Sequence, residues 1–133
     1  MLTIKTILKE VPGKGIGLFT DEYLKAGQVW WVWDNDLDKI IDPEQYAQLG
    51  EIQKSFVKKY GVKSDKDAYW LYTDHAKFCN HSDQPNSVGI EPVSGVDTKI
   101  KTTNAIKKGK ELTIDYRKFI FDFPEGILNF EVV

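Results

Sequence analysis

The stretch that most constrains this chain lies at residues 78–86, where hydrogen-bonding side chains are unusually dense for a loop. It reads Phe78-Cys79-Asn80-His81-Ser82-Asp83-Gln84-Pro85-Asn86. A second unusual stretch, in which apolar and polar residues alternate, reads Glu111-Leu112-Thr113-Ile114-Asp115-Tyr116. This alternation predicts a strand with Leu112, Ile114 and Tyr116 on one face.

Each stretch has a structural interpretation beside a functional one. Asn80, His81 and Ser82 are typical of a turn whose side chains satisfy the loop's own backbone. The same groups could instead bind the edge of a purine ring. Tyr116 ends an amphipathic strand, which is a common core position, yet its hydroxyl could also take part in catalysis. The residues alone leave both interpretations open.

Composition narrows the functions that remain. With 133 residues, 41% of them apolar, the chain predicts one domain with a proper core. A net charge of −2 lacks the basic excess of nucleic-acid-binding proteins, so we expect no nucleic-acid partner. One cysteine excludes an internal disulfide framework and a cysteine-rich zinc cluster. The N-terminus does not resemble a signal peptide and no apolar run could span a membrane. We therefore expect no membrane contact and a cytoplasmic protein, or a nuclear one if its source is a eukaryote or its virus.

The N-terminal part predicts strands joined by a glycine-rich loop. Residues 2–9 and 29–33 are rich in β-branched or aromatic side chains, and the second run suits a strand buried on both faces. Residues 11–17 include three glycines in five positions, which permits positive φ and close approach to a ligand. The spacing differs from the dinucleotide-binding fingerprint, so a plain turn and a ligand contact both remain.

Residues 42–61 carry the signals of a helix. Asp42 can cap it, Pro43 fits the first turn and Gln45 completes a capping box. Gly50 could split the helix, and Gly61 predicts its C-terminal end. Apolar residues recur at helical spacing, so we predict that one face packs on the core. The predicted core-facing residues are Tyr46, Leu49, Ile52, Phe56, Val57 and Tyr60.

Further strands are predicted at residues 68–72, 88–93 and 99–105. Cys79 lies near His75 and His81, and a thiol beside an imidazole is the basis of a cysteine nucleophile. A cysteine hydrolase is therefore one alternative, and a buried cysteine acting as a small apolar residue is the other. The histidine and cysteine spacing fits no common metal site, so we expect no metal.

Taken together and in order, these motifs resemble those of the SET-domain protein lysine methyltransferases, in a minimal form without flanking zinc modules. The family signature is Asn-His-Ser-x-x-Pro-Asn followed by Gly-x-Glu-Leu-Thr-x-Asp-Tyr, which residues 80–86 and 109–116 match. Residues 14–19 resemble the family's glycine motif. Residues 24–27 and 106–109 resemble its two lysine-glycine turns.

The resemblance implies a mainly β fold of the β-rich α+β class. It would be a β-clip-like set of short curved sheets with a C-terminal pseudoknot. Residues 1–133 would form a single SET domain with a helical insert at about 40–66. The resemblance also implies methyl transfer from S-adenosylmethionine to a lysine of a protein or peptide, with S-adenosylhomocysteine as product.

Residue roles follow from the same resemblance. The implied catalytic residue is Tyr116. The implied cofactor-binding residues are Lys14, Gly15, Ile16, Gly17, Asn80, His81 and Phe121. The implied residues of the substrate channel are Tyr69, Tyr72, Ile90, Phe119 and Phe123.

Departures from the family pattern concern the substrate side. Asp83 stands where the family often has cysteine, and the zinc-binding cysteines of many members are absent, so no zinc is expected. In those members a cysteine-rich tail completes the lysine channel, and here the tail aromatics could replace it. Residues 33–36 replace the frequent Glu-Tyr-x-Gly-Glu. A SET-like module that binds peptide or cofactor without catalysis is the main alternative, and the chain could form a homodimer.

Overall fold

The computed structural model describes residues 1–118. The predicted site residues Phe119, Phe121 and Phe123 lie outside that range, as does part of the segment expected to form the pseudoknot. The described strands are β1 (Thr6–Val11), β2 (Gly15–Thr20), β3 (Val29–Val32), β4 (Lys39–Ile41), β5 (Val62–Lys63), β6 (Tyr69–Leu71), β7 (Asn80–His81), β8 (Ser87–Ile90), β9 (Lys99–Thr102) and β10 (Thr113–Ile114). The described helices are α1 (Pro43–Ala47) and α2 (Glu51–Tyr60). Two 3-10 turns span His75–Phe78 and Tyr116–Lys118.

The strands form small sheets, which confirms the predicted mainly β fold. Strands β1 and β2 form an antiparallel hairpin. One three-stranded antiparallel sheet has the order β3-β9-β8, and another has the order β4-β6-β5. Strands β7 and β10 are far apart in sequence, yet they pair in parallel. This last pair joins the two unusual sequence stretches.

The glycine-rich residues lie at the tip of the first hairpin and are not a loose loop. Val11 pairs with Gly15 across the turn, so the predicted loop at 11–17 includes the first residues of β2. Gly13 and Gly15 have φ of 78° and 80°, which residues other than glycine rarely adopt. The hairpin therefore needs glycine at both positions. Because this sheet has only two strands among the described residues, the Gly15–Gly17 backbone lies at its edge.

Strand β3 supplies the centre of the core. Trp30 and Trp31 are both fully buried although they are consecutive, as predicted for a strand covered on both faces. The indole of Trp30 donates a hydrogen bond to the buried Ser87 hydroxyl at 3.0 Å. The ring of Trp31 packs on Tyr72 with centroids 4.4 Å apart.

The helical segment starts as predicted but does not pack as predicted. Asp42 and Gln45 form the capping box, and the helix is split at Gly50 into α1 and α2. α1 has no buried residue, and in α2 only Val57 is buried. Ile52 is 84% exposed and Phe56 is 48% exposed, so the prediction that these two residues face the core is wrong, whereas it is confirmed for Val57.

Gly61 ends α2 for a different reason than the one predicted. Its φ of −84° is not left-handed, so the helix does not need glycine's conformational freedom. A Cβ atom at this position would lie 2.6 Å from the Val57 carbonyl oxygen. Glycine is therefore favoured because the backbone and the Tyr69 ring approach closely.

The segment after Gly109 is buried between other elements. The Leu112 amide donates to the Leu18 carbonyl at 2.8 Å, and then β10 pairs with β7. Residues 112–115 are all buried, so the two faces do not alternate between core and solvent. The predicted strand over 111–116 ends at Ile114, and Tyr116 begins a 3-10 turn.

Candidate active site

The Asn86 side chain fastens the 79–86 loop to the segment before β10. Its amide nitrogen donates to the Glu111 carbonyl at 2.7 Å, and its amide oxygen accepts from the Thr113 backbone at 3.0 Å. The Asn86 amide thus acts like one further backbone unit of the sheet. It also explains why the two motifs lie together.

Asn80, in β7, connects the β7–β10 pair to the β1–β2 hairpin, which is called the glycine hairpin below. Its amide nitrogen donates to the Ile16 carbonyl at 3.2 Å and to the Glu111 carboxylate at 2.9 Å. A Cβ atom at Gly17 would lie 2.8 Å from that carboxylate and 3.2 Å from the Asn80 nitrogen. Only glycine leaves these polar groups in contact with the strand.

Lys14 connects the turn of the glycine hairpin to strand β7. Its ammonium group donates to the His81 carbonyl at 2.9 Å. The structure therefore brings together six of the seven predicted cofactor-binding residues, and the seventh, Phe121, lies outside the described range. Those brought together are Lys14, Gly15, Ile16, Gly17, Asn80 and His81.

Both ring nitrogens of His81 have partners. Nδ1 accepts from the Tyr116 backbone at 3.1 Å, so the proton of the neutral ring belongs on Nε2. Nε2 lies 3.0 Å from an Asp83 oxygen and donates to it. Loop residue Asp83 and the Tyr116 turn thus fix both the orientation and the tautomer of His81.

Tyr116 lies at the centre of this arrangement. Its hydroxyl donates to the Cys79 carbonyl at 2.5 Å, and its ring packs edge-on to His81 with centroids 5.5 Å apart. The hydroxyl and the backbone of one residue therefore contact Cys79 and His81, the residues on either side of Asn80. The predicted catalytic tyrosine is held tightly against the predicted cofactor-binding motif.

An ion-pair network stabilises the Tyr116 turn. Arg117 binds the two carboxylate oxygens of Asp115 at 2.9 and 3.0 Å, and it reaches Asp83 at 3.0 Å. Hydrogen bonds from Arg117 hold the pKa of the Asp115 carboxyl below its ordinary value, against the opposing effect of burial. Asp83 thus contacts both His81 and Arg117, across the two motifs.

Cys79 does not have the surroundings of a nucleophile. It is buried, and its thiol donates to the Leu112 carbonyl at 3.3 Å. Burial raises the pKa of this thiol well above its ordinary value, and the nearby Glu111 charge adds to the effect. Since the thiolate is the reactive form, the cysteine-hydrolase alternative loses its basis.

The predicted channel residues are distributed over several elements. Tyr69 lies in β6 and packs on Tyr46 with centroids 5.1 Å apart. Tyr72 is buried against Trp31, and burial raises the pKa of its hydroxyl, with a further contribution from Asp97. Ile90 ends β8 and is half-buried. Their roles in a channel stay predictions.

Sequence reasoning did not include Glu111, Asn86 and Arg117 among the site residues. Glu111 and Asn86 both lie within the recognised motifs, and that position was the available signal. Nothing in the sequence pairs Arg117 with Asp83, because the contact depends on how the chain turns after Ile114. All three complete the polar network of the site.

Among residues 1–118, no helix has the length and apolar character needed to cross a membrane. The same residues hold no group of three or more histidine, cysteine, aspartate or glutamate side chains that could bind a metal ion.

Comparisons with known proteins agree with this fold. A candidate histone methyltransferase from Plasmodium falciparum has a crystal structure of similar fold, with a TM-score of 0.62 and 20% identity. The similarity covers 86% of this chain and 95% of that one. A chain of a humanised Chaetomium thermophilum Polycomb Repressive Complex 2, bound to an inhibitor, has a TM-score of 0.62 and 16% identity. That match covers 90% of this chain and 16% of the larger one.

A search of curated protein sequences finds no match. The SET-domain family matches the sequence over residues 15–117, which include strand β2 of the first hairpin, the Asn-His-Ser loop and Tyr116. The chain therefore belongs to the SET-domain family.

Proposed function

We propose that this protein is an S-adenosylmethionine-dependent methyltransferase that acts on a lysine side chain of a protein or peptide. The observation that carries the proposal is the junction at Tyr116. Its hydroxyl binds the Cys79 carbonyl and its backbone binds His81, so the two family motifs meet at one tyrosine. The proposed compartment is the cytoplasm, or the nucleus if the source is eukaryotic or viral.

The corner between the hairpin and β7 has groups suited to this cofactor. The Asn80 amide nitrogen is already used, and no residue in 1–118 donates to its amide oxygen, which is left to accept from an ammonium group. The Glu111 carboxylate beside it adds negative charge, which suits a ligand with two cationic centres. Gly17 keeps the approach open, since any Cβ there would collide with its neighbours.

When bound, the cofactor would supply an electrophilic methyl group and the positive charge of a sulfonium. The residues expected to hold it are Asn80, His81 and the backbone of Gly15–Gly17, with Lys14 fixing His81 from the hairpin. His81 is oriented from both sides, so its backbone is held in place before any ligand arrives. Such preorganisation lowers the cost of binding.

The acceptor amine must be neutral to attack a methyl group. A lysine with a pKa near about 10.4 costs roughly 4.6 kcal/mol to neutralise at pH 7. A dry channel and a nearby positive charge both lower that cost. The apolar side chains of Leu112 and Ile114, both buried near Tyr116 in the chain, provide low-polarity surroundings of this kind.

We assign Tyr116 to orienting the reactants and stabilising charge. Its hydroxyl proton is committed to the Cys79 carbonyl, which increases the negative charge on its oxygen. An oxygen of this kind favours the positive charge shared by the amine and the transferred methyl group. Because a free phenol ionises only near about pH 10, removing the amine proton is a less suitable role.

The test uses the full chain with radiolabelled S-adenosylmethionine and a protein lysate. We expect label on lysines of specific proteins, and we expect Tyr116→Phe to reduce the rate by about 10²–10³-fold, as loss of a charge-stabilising group does. Cys79→Ser is the matched control and should keep the rate within a few-fold, because the buried side chain bonds to the Leu112 carbonyl, which a hydroxyl can also do.

The alternative of a binding module without catalysis predicts a different result. Calorimetry would then show S-adenosylmethionine binding while no protein in the lysate acquires label. Absence of both binding and label would contradict the proposal entirely.

A further inference from the structure

Strand β10 separates two different surroundings. Its β7 side carries the polar network described above. On its other side lies an open cavity of about 200 Å³. Residues of β8, of the 94–98 turn and of the Tyr116 turn bound this cavity. The lining includes Val88, Gly89, Asp97, Thr103, Ile114 and Lys118.

Asp97 is the unusual member of this lining. It is half-buried, and no group in the described part of the chain donates a hydrogen bond to its carboxylate or forms an ion pair with it. Burial raises the pKa of this carboxyl above its ordinary value. A half-buried carboxylate of this kind depends on the remaining water, on protonation or on a ligand to offset the lost hydration, and an open cavity beside it gives a ligand access.

Gly89 makes room for this carboxylate. A Cβ atom at position 89 would lie 2.0 Å from an Asp97 carboxylate oxygen, closer than any real contact. Strand β8 therefore contributes no side chain here, and the Asp97 head group occupies that space. A side chain on β8 would exclude Asp97 from the cavity wall.

We propose that this cavity is a cation subsite in which the Asp97 carboxylate receives an alkylammonium group. Val88 and Ile114 would contact an apolar stem, and Asp97 would pair with the charged head. A cavity of about 150 Å³ can hold a benzene ring, so the available space suits a four-carbon chain. Because a carboxylate favours the charged form of an amine, an ammonium group held here would stay protonated, so the occupant is a cationic side chain other than the lysine that accepts the methyl group. Assigning that side chain to the substrate peptide rests on the proposed function, whereas cation binding itself does not.

Lys118 is the group that could compete for this role. It lines the same cavity but is exposed and makes no ion pair with Asp97 within residues 1–118. If Lys118 were the natural partner of Asp97, the subsite would already be satisfied. A test must therefore separate the two residues.

The experiment follows the backbone amide signals of the full chain by NMR while n-butylammonium is added, with 1-butanol as the neutral probe of equal length. We expect saturable shifts at Gly89 and Asp97 with n-butylammonium, and much weaker binding of 1-butanol. Asp97→Asn keeps the shape and removes the charge, so it should weaken n-butylammonium binding about tenfold, as expected for a charged hydrogen bond. Glu91→Gln is the control, because that exposed carboxylate pairs with Lys99 away from the cavity.

Equal affinity for the two probes, or unchanged n-butylammonium affinity in Asp97→Asn, would overturn the proposal. Lys118→Met should preserve or strengthen binding of the cation. Lys118→Met could instead lower the free energy of unfolding in the wild type but not in the Asp97→Asn variant. That result would mean that Lys118 already pairs with Asp97, so the subsite is not available to a ligand. Butylammonium binding without any lysine labelling would contradict only the proposed methyltransferase function.

Discussion

The loop at 79–86 and the helical segment at 42–61 are joined to the rest of the protein in opposite ways. The loop is connected through side chains, since Asn80 reaches the hairpin and Asn86 reaches the segment before β10. The helical segment buries one side chain, Val57. Its other contacts are ring packing at its surface, such as Tyr46 on Tyr69.

The difference shows where specificity of structure is needed. The buried and part-buried polar groups of the loop must find partners within the protein, so one wrong residue there leaves such a group unsatisfied. A capped helix on the surface satisfies its own backbone and tolerates change on its outer face. Substitutions in the two regions should therefore differ greatly in effect.

The largest effect is expected for Asn86→Ala. The change would remove the Asn86 partner of the part-buried Glu111 carbonyl and Thr113 amide, at up to about 1–3 kcal/mol for each. Urea unfolding should show this loss of stability. Asn104→Ala is the control, because within residues 1–118 the exposed Asn104 amide bonds only to its chain neighbours, the Thr103 hydroxyl and the Ala105 carbonyl, and it should change little. Equal effects of the two variants would remove the distinction drawn for the loop.

Gly17→Ala should have the next largest effect. The added methyl group would lie 2.6 Å from a Val11 methyl and 2.8 Å from the Glu111 carboxylate, so the hairpin must shift at a cost of about 1–3 kcal/mol. We also expect weaker binding of S-adenosylmethionine, measured by calorimetry. Gly50→Ala is the control, since the added methyl group would meet only the movable end of Gln53. A stable Gly17→Ala protein with unchanged affinity would contradict the close approach at this corner.

Arg117→Gln should have a smaller effect that depends on pH. Arg117 holds the pKa of Asp115 below its ordinary value, so the folded protein binds fewer protons than the unfolded chain between the two values. The resulting stabilisation is present above the ordinary pKa of aspartate and is lost as pH falls through the lowered one. The difference in melting temperature between wild type and Arg117→Gln should therefore be largest near neutral pH and disappear in strong acid.

Because Arg117 is half-exposed, this difference should also shrink in high salt. Lys108→Gln, which removes an exposed pair with Asp21 at 3.9 Å, should show no such dependence on pH. A melting difference that persists unchanged in acid would mean that Arg117 acts through packing alone.

Features set by residues close together in the chain could be predicted from the sequence, and features set by contacts between distant segments could not. The capping box at Asp42 and the buried pair Trp30 and Trp31 were predictable, because each depends on residues close together in the chain. The exposure of Ile52 was not, since helical periodicity is the same whether the apolar face meets the core, a partner or water. The partners of Asn80 and the position of Asp97 beside Gly89 depend on segments far apart in sequence. The family resemblance grouped Asn80 with Gly15–Gly17 as cofactor-binding residues but gave neither partner, and nothing in the pattern indicated the position of Asp97.

The smallest effect is expected for Ile52→Ser. Ile52 is 84% exposed, so the free energy of unfolding should change by no more than about 0.5 kcal/mol, as at most surface positions. Val57→Ala on the same helix is the control, because Val57 is 4% exposed and losing two buried carbons costs about 1–2 kcal/mol. The comparison needs two protein concentrations, since a homodimer that covers the helix would make stability rise with concentration. If Ile52→Ser lowers stability as much as Val57→Ala does, and does so only at the higher concentration, then a second copy of the chain covers this face. The helical segment would then be as tightly specified as the loop, through a partner and not through its own fold.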